Sequence, residues 1–218
     1  MNKKSAFITL EGIDFSGKST QAERLLSRLH ESGLDPLFLR EPGGTVLSER
    51  VREILLNRGE ITIGAKSELL LFLAARAQLV DDLIIPSLES GRIVICDRFF
   101  DSTFAYQGFA RGLPVEKIRE INTFATSGLV PDLTLLFDLP VEVAQGRGAG
   151  LSSGGDRLEN EVAEFHRRVR DGYLQLVRTE PMRIKVIDAS GSLDVVWSKT
   201  WELTRSFLKT RGIEILEK

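Results

Sequence analysis

The run Gly12-Ile13-Asp14-Phe15-Ser16-Gly17-Lys18-Ser19 is the stretch whose residue types and spacing point most directly to chemistry. It matches G-x-x-x-x-G-K-[ST] throughout, directly after the strand-like run Ala6-Phe7-Ile8-Thr9-Leu10 and directly before a helical pattern. Glycines let the backbone wrap closely, so that successive N–H groups point at an anion. The helix that follows directs its positive N-terminal end at the same charge. Lys18 can reach β- and γ-phosphates, and the Ser19 hydroxyl can ligate Mg²⁺. Residues 12–19, with Thr20 behind them, therefore read as a P-loop cradle for a nucleoside triphosphate. A second candidate is Asp97, which ends the apolar run Ile93-Val94-Ile95-Cys96. A strand-terminal carboxylate facing such a loop can hold a water on Mg²⁺; the plainer alternative is an ordinary turn acid.

Other residues carry weaker signals. Arg98 lies just beyond a strand's C-terminal end, where open α/β sheets bind ligands, and a guanidinium held there can clamp a monophosphate. The alternative is a structural ion pair. Phe72 and Arg76 are four apart on a helical pattern and can face one pocket, the ring stacking on a base and the guanidinium donating to a carbonyl. Taken alone, they read more simply as one core ring and one solvated arginine.

The elements that must hold these residues alternate. Strands are expected at 6–10, 37–39, 93–97, 133–138 and 184–188, and helices at about 18–32, 46–56 and 66–88, where Pro86 kinks or ends the last. Strands joined by helical crossovers imply a parallel sheet covered on both faces. No repeat or linker splits the chain, so a single domain over 1–218 is expected. The stretch 146–155 has five glycines in ten residues, too many to sustain a helix. It is either a surface loop or a lid over bound nucleotide.

The bulk composition narrows the function. A net charge of −2 leaves no basic footprint for long nucleic acids. The single cysteine, Cys96, sits in an apolar run and reads as core; with two histidines beside it, a zinc site is not expected. Neither a signal segment nor 18 uninterrupted apolar residues is found, so a cytoplasmic protein without membrane association is expected. No Asn/Thr-Lys-x-Asp motif follows the fourth strand, which argues against a switch GTPase.

In order and spacing, several further segments make the chain resemble the thymidylate (dTMP) kinases of bacterial type over nearly its whole length. They are Glu11-Gly12-Ile13-Asp14, Arg40-Glu41-Pro42-Gly43-Gly44-Thr45, Phe72 with Arg76, Asp97-Arg98-Phe99, Ser102-Thr103-Phe104-Ala105-Tyr106-Gln107-Gly108, Pro131-Asp132-Leu133-Thr134 and Asp156-Arg157-Leu158-Glu159. The resemblance implies a three-layer P-loop kinase fold with about five parallel strands, a short lid at about 146–157, and the reaction ATP + dTMP → ADP + dTDP with Mg²⁺. It makes Phe72 the thymine-stacking residue and Arg76 the partner of its 4-oxo group. Arg98, assisted by Arg40, binds the acceptor phosphate, and Asp14 accepts from the 3′-hydroxyl. Ser102, Thr103 and Gln107 would read the base edge, and Tyr106 would lie against the sugar; solvated polar residues are the alternative.

Some members of the family carry an arginine directly after the position of Asp14. Here that position is Phe15, so the mobile catalytic arginine falls to the lid, which has only Arg147 and Arg157. Arg157 is expected at the transferring phosphoryl, beside Lys18, Arg98 and Asp97, and Arg147 on the adenine side, although either could exchange roles. The family also implies a homodimer. A kinase of another monophosphate or of a deoxynucleoside, and a non-catalytic P-loop subunit, are the competing readings.

Overall fold

The computed structural model describes residues 4–57, 61–149 and 156–216. Five parallel strands form one sheet: β1 (Ala6–Glu11), β2 (Leu37–Arg40), β3 (Ile93–Asp97), β4 (Leu133–Asp138) and β5 (Ile184–Asp188), in the order β2-β3-β1-β4-β5. All six residues of the central β1 are buried, as a strand packed on both faces requires. Register pairs Leu10 and Arg40 with Asp97, so the ends of β1, β2 and β3 lie at one level. That edge is where the chain leaves the sheet as the P-loop, as Glu41 and as Arg98.

Helix α1 (Lys18–Glu31) follows the P-loop, and α2 (Val46–Leu56) starts behind Thr45, whose hydroxyl caps the Ser48 N–H at 3.1 Å. The expected helix at 66–88 is α3 (Ala65–Leu79), a π-helical turn (Val80–Ile84) and α4 (Ile85–Glu89). Pro86 neither ends nor breaks it. The widened turn comes just before the proline, where a normal turn would set its ring against the carbonyl four residues back. Next come α5 (Phe100–Thr103), a second π-helical turn (Phe104–Ala110), α6 (Val115–Ala125), α7 (Val141–Gly148), α8 (Ala163–Thr179) and α9 (Leu193–Thr210). Cys96 is fully buried in the apolar core, as expected.

The glycine-rich stretch requires a correction. Helix α7 runs through Gly146 to Gly148, although each glycine costs a helix about 1 kcal/mol. A Cβ at Gly148 would stand 2.8 Å from the Phe15 ring, so the close approach of α7 to the P-loop needs a glycine there. Tertiary packing thus overrides propensity. The rest of the expected lid, residues 150–155, lies outside the described residues.

Candidate active site

The C-terminal edge of β1, β2 and β3 opens into a cavity of about 500 Å³. On one wall is the P-loop. Gly12 (φ 138°) lies so close to β4 that a Cβ would meet the Phe137 carbonyl oxygen at 2.5 Å. Gly17 (φ 89°) has the opposite surroundings, with nothing within 4 Å of a Cβ, which leaves space for an anion above the start of α1. Lys18 is folded over the loop and donates to the carbonyls of Gly12 and Ile13, both at 3.0 Å. Burial and the neighbouring Arg98 lower its affinity for the proton. Ser19, Thr20 and Phe15 face the cavity, while Ile13 and Ser16 are buried beneath it.

Arg98 joins the two walls. It holds φ 68°, a left-handed backbone that a side chain rarely adopts. Its guanidinium donates to Asp14 Oδ1 at 2.5 Å and to the Gly12 carbonyl at 3.0 Å, and lies over the Tyr106 ring. Burial opposes both charges of this pair. Arg98 and Lys18 nevertheless hold the Asp14 carboxyl below its usual range, and Tyr106 and Asp14 keep Arg98 firmly protonated. Tyr106 also donates to Asp14 Oδ2 at 3.3 Å.

The far wall is a buried polar network. Arg76, 2% exposed, gives Nε and Nη2 to Glu41, with a closest approach of 2.5 Å. Its Nη1 donates to Thr103 at 2.8 Å and to Asn122 at 2.6 Å. Burial raises the Glu41 carboxyl even against the pull of Arg76. Thr103, Tyr106 and Gln107 are buried as well, because the π-helical turn packs under α8. Phe72 lines the same cavity, resting on the small apolar cluster of Val51, Leu55 and Ala75. Arg40 reaches the rim, where it pairs with Glu49 at 3.1 Å while half exposed.

Asp97 lines the cavity with Ser102, and its Oδ1 is buried without a hydrogen-bond partner among the described residues. That orphaned acceptor suits a group bound in the cavity. Arg147 also faces the cavity, giving Nη2 to the Ala189 carbonyl at 2.8 Å and Nη1 to that of Phe15 at 3.4 Å. Arg157 is elsewhere: it donates to the Leu55 carbonyl at 2.9 Å and to Glu68 at 2.6 Å, and Asp156, Leu158 and Glu159 line the wall instead.

The structure adds residues to which sequence reasoning gave no role. Glu41 and Pro42, Arg52 and Leu56 of α2, and Asp156, Leu158 and Glu159 complete the cavity wall. Glu11, fully buried, accepts from the Phe99 N–H at 2.8 Å, Ser102 at 2.6 Å and Tyr173 at 2.7 Å. Burial, reinforced by Asp101, pushes its carboxyl up to about 7. Glu11 and Glu41 stand inside the quoted segments. Arg52, Leu56 and Tyr173 sit on helices, where spacing alone marks a packing face and nothing more.

These features agree with comparisons to known proteins. A family model described as thymidylate kinase matches residues 10–199. The thymidylate kinase of Syntrophotalea carbinolica is 46% identical over 215 residues, covering 95% of this chain and 99% of that one. That of Chromobacterium violaceum is 50% identical over 188 residues, covering 86% and 88%. The crystal structure of the Ehrlichia chaffeensis thymidylate kinase superimposes with a TM-score of 0.75 at 35% identity, covering 92% of this chain and 98% of that one. On this evidence the chain belongs to the thymidylate kinase family.

Proposed function

We propose that the protein transfers the γ-phosphoryl group of ATP to dTMP, giving dTDP for dTTP synthesis, by direct in-line displacement. The observation that carries this reading is the Arg98–Asp14 contact at 2.5 Å. It ties the arginine at the end of β3 to the P-loop, inside the cavity that also holds buried Arg76. A triphosphate on residues 12–20 and a monophosphate on Arg98 would then face each other.

The acceptor phosphate is already an anionic nucleophile, so alignment and charge neutralisation do the work. Lys18 would leave the Gly12 and Ile13 carbonyls for the β- and γ-oxygens. Arg98, with Arg40, would align the attacking phosphate. Asp14, freed in part from Arg98, would accept from the acceptor's 3′-hydroxyl, with Tyr106 beside the sugar. Phe72 would stack on thymine, Arg76 would donate to its 4-oxo group, and Ser102, Thr103 and Gln107 would read the remaining edge. The unpartnered Asp97 Oδ1 and the Ser19 hydroxyl fit Mg²⁺, Asp97 through a water. When bound, the ion would neutralise phosphate charge.

Arg147, between Phe15 and Ala189, suits the adenine side. Arg157 would reach the transferring group only after leaving Glu68, a movement that would accompany closure of the part of the expected lid that follows α7. Closure would exclude water and limit ATP hydrolysis. We read residues 1–218 as one such unit, cytoplasmic and homodimeric; mass in solution tests the last point. No helix among the described residues is long and apolar enough to cross a membrane.

An ADP-release assay across dTMP, dUMP, dGMP, dCMP and AMP tests the whole reading. Turnover should be fastest with dTMP, and slower with dUMP because a buried methyl contributes only ~1 kcal/mol. No turnover with dTMP refutes the proposal.

A further inference from the structure

Arg98 is held by Ser102, which also faces the base in the reading above, and by Tyr173 and Glu11, which touch neither nucleotide in it. Its Nη1 lies 3.3 Å from both Ser102 Oγ and Tyr173 Oη. These two hydroxyls are 2.8 Å apart, and both donate to Glu11 Oε2. The other carboxylate oxygen, Oε1, accepts the Phe99 N–H, which directly follows the strained backbone of Arg98. One buried carboxylate, fixed at the end of β1, thus anchors the arginine twice, through its backbone and through two hydroxyls beside its guanidinium. Tyr173 comes from α8 and is 3% exposed, so its ring is core packing while its hydroxyl stands inside this network.

We infer that Tyr173, oriented by Glu11, is a positioning residue for Arg98 that sets where the acceptor phosphate is held. Three features separate this from simple core packing. The hydroxyl sits among three polar partners from three different elements. Without it, the guanidinium keeps Asp14, the Gly12 carbonyl and Ser102 as partners but loses one of the two hydroxyls that Glu11 orients beside it. The donor-side contacts of Lys18 do not involve Tyr173, so its loss should act on one substrate only.

The inference rests on the dTMP kinase reading, and the test separates the two. Tyr173→Phe keeps the ring and removes the hydroxyl. Small misplacement of an aligning group lowers rate by on the order of 10-fold to 100-fold. kcat/KM for dTMP should fall by ~10-fold or more, with KM for ATP unchanged within about twofold and the melting temperature nearly unchanged. Equilibrium binding of dTMP is then compared in four proteins: wild type, Tyr173→Phe, Arg98→Ala and the double variant. Because the hydroxyl acts through Arg98, Tyr173→Phe should weaken binding in the parent and have little further effect beside Arg98→Ala. An unchanged kcat/KM in Tyr173→Phe, equal losses for both substrates, or full additivity in the double variant would overturn the inference. Wild-type protein that neither binds nor turns over dTMP would instead remove the underlying reading.

Discussion

The wall proposed for the donor comes from one stretch of chain, residues 12–19, and its tools are backbone carbonyls, N–H groups and glycine dihedrals. The wall proposed for the acceptor draws Arg40 from β2, Phe72 and Arg76 from α3, Arg98 from the end of β3, and Thr103, Tyr106 and Gln107 from the segment that follows. Its tools are side chains held in buried ion pairs and hydrogen bonds. A local loop tolerates no side chain where the backbone is tight. A dispersed wall is sensitive instead to the loss of any buried partner.

That contrast can be broken first at the glycines. Gly12→Ala places a methyl against the Phe137 carbonyl oxygen, a backbone atom that cannot step aside, so ATP binding should fall below detection by calorimetry. Gly17→Ala meets no protein neighbour and should cost the fold only the left-handed backbone, about 1–2 kcal/mol, although its methyl enters the space left for the anion. Equal losses of folding stability at the two positions would deny that packing against β4 matters.

On the acceptor wall, Arg76→Met leaves Glu41 buried without its cation, a destabilisation of about 3–5 kcal/mol by denaturant unfolding, with loss of dTMP binding. Arg40→Ala removes a half-exposed pair and should change stability by less than about 1 kcal/mol while still weakening dTMP. If both variants were equally stable, the buried network would not be what holds this wall.

Arg157→Ala should lower kcat by ~10²-fold if the arginine leaves Glu68 to join the reaction. An unchanged kcat would remove it from the mechanism and leave it only as a partner of Glu68, which also receives Gln107 and Arg111.

Stability should also depend on pH. Glu11 titrates at about 7 in the fold against an ordinary 4.5, so between those values the folded state binds more protons than the unfolded chain. Its contribution is fully present below about 4.5 and is lost as pH rises through 7. Stability of the wild type should therefore fall more steeply from pH 5 to 7.5 than that of Glu11→Gln, as followed by urea unfolding. Parallel slopes would place the titration elsewhere.

Much of the frame was legible because its signals are local. The strands at 93–97, 133–138 and 184–188 and the helix at 46–56 stand where apolar runs and spacing put them, and β1 and β2 each extend one residue further. Helices α6, α8 and α9 lie in stretches to which the sequence reading assigns no element, although Phe165, Val169, Tyr173 and Leu176 of α8 form an apolar helical stripe. Such a stripe marks Tyr173 as core and is silent about its hydroxyl, whose partners lie 71, 75 and 162 residues away in the chain.

By itself the sequence determined the phosphate cradle, the parallel sheet and the set of residues that could recognise a nucleotide, because each depends on neighbours a few positions apart. Only the tertiary structure decided which of them meet. Strand register sets Arg40, Asp97 and Glu11 at one edge, packing carries α7 through Gly148 onto Phe15, and Arg76 turns out buried on Glu41 rather than solvated. Those outcomes depend on contacts between distant segments, and on the cost of burying a charge without its partner, neither of which residue spacing records.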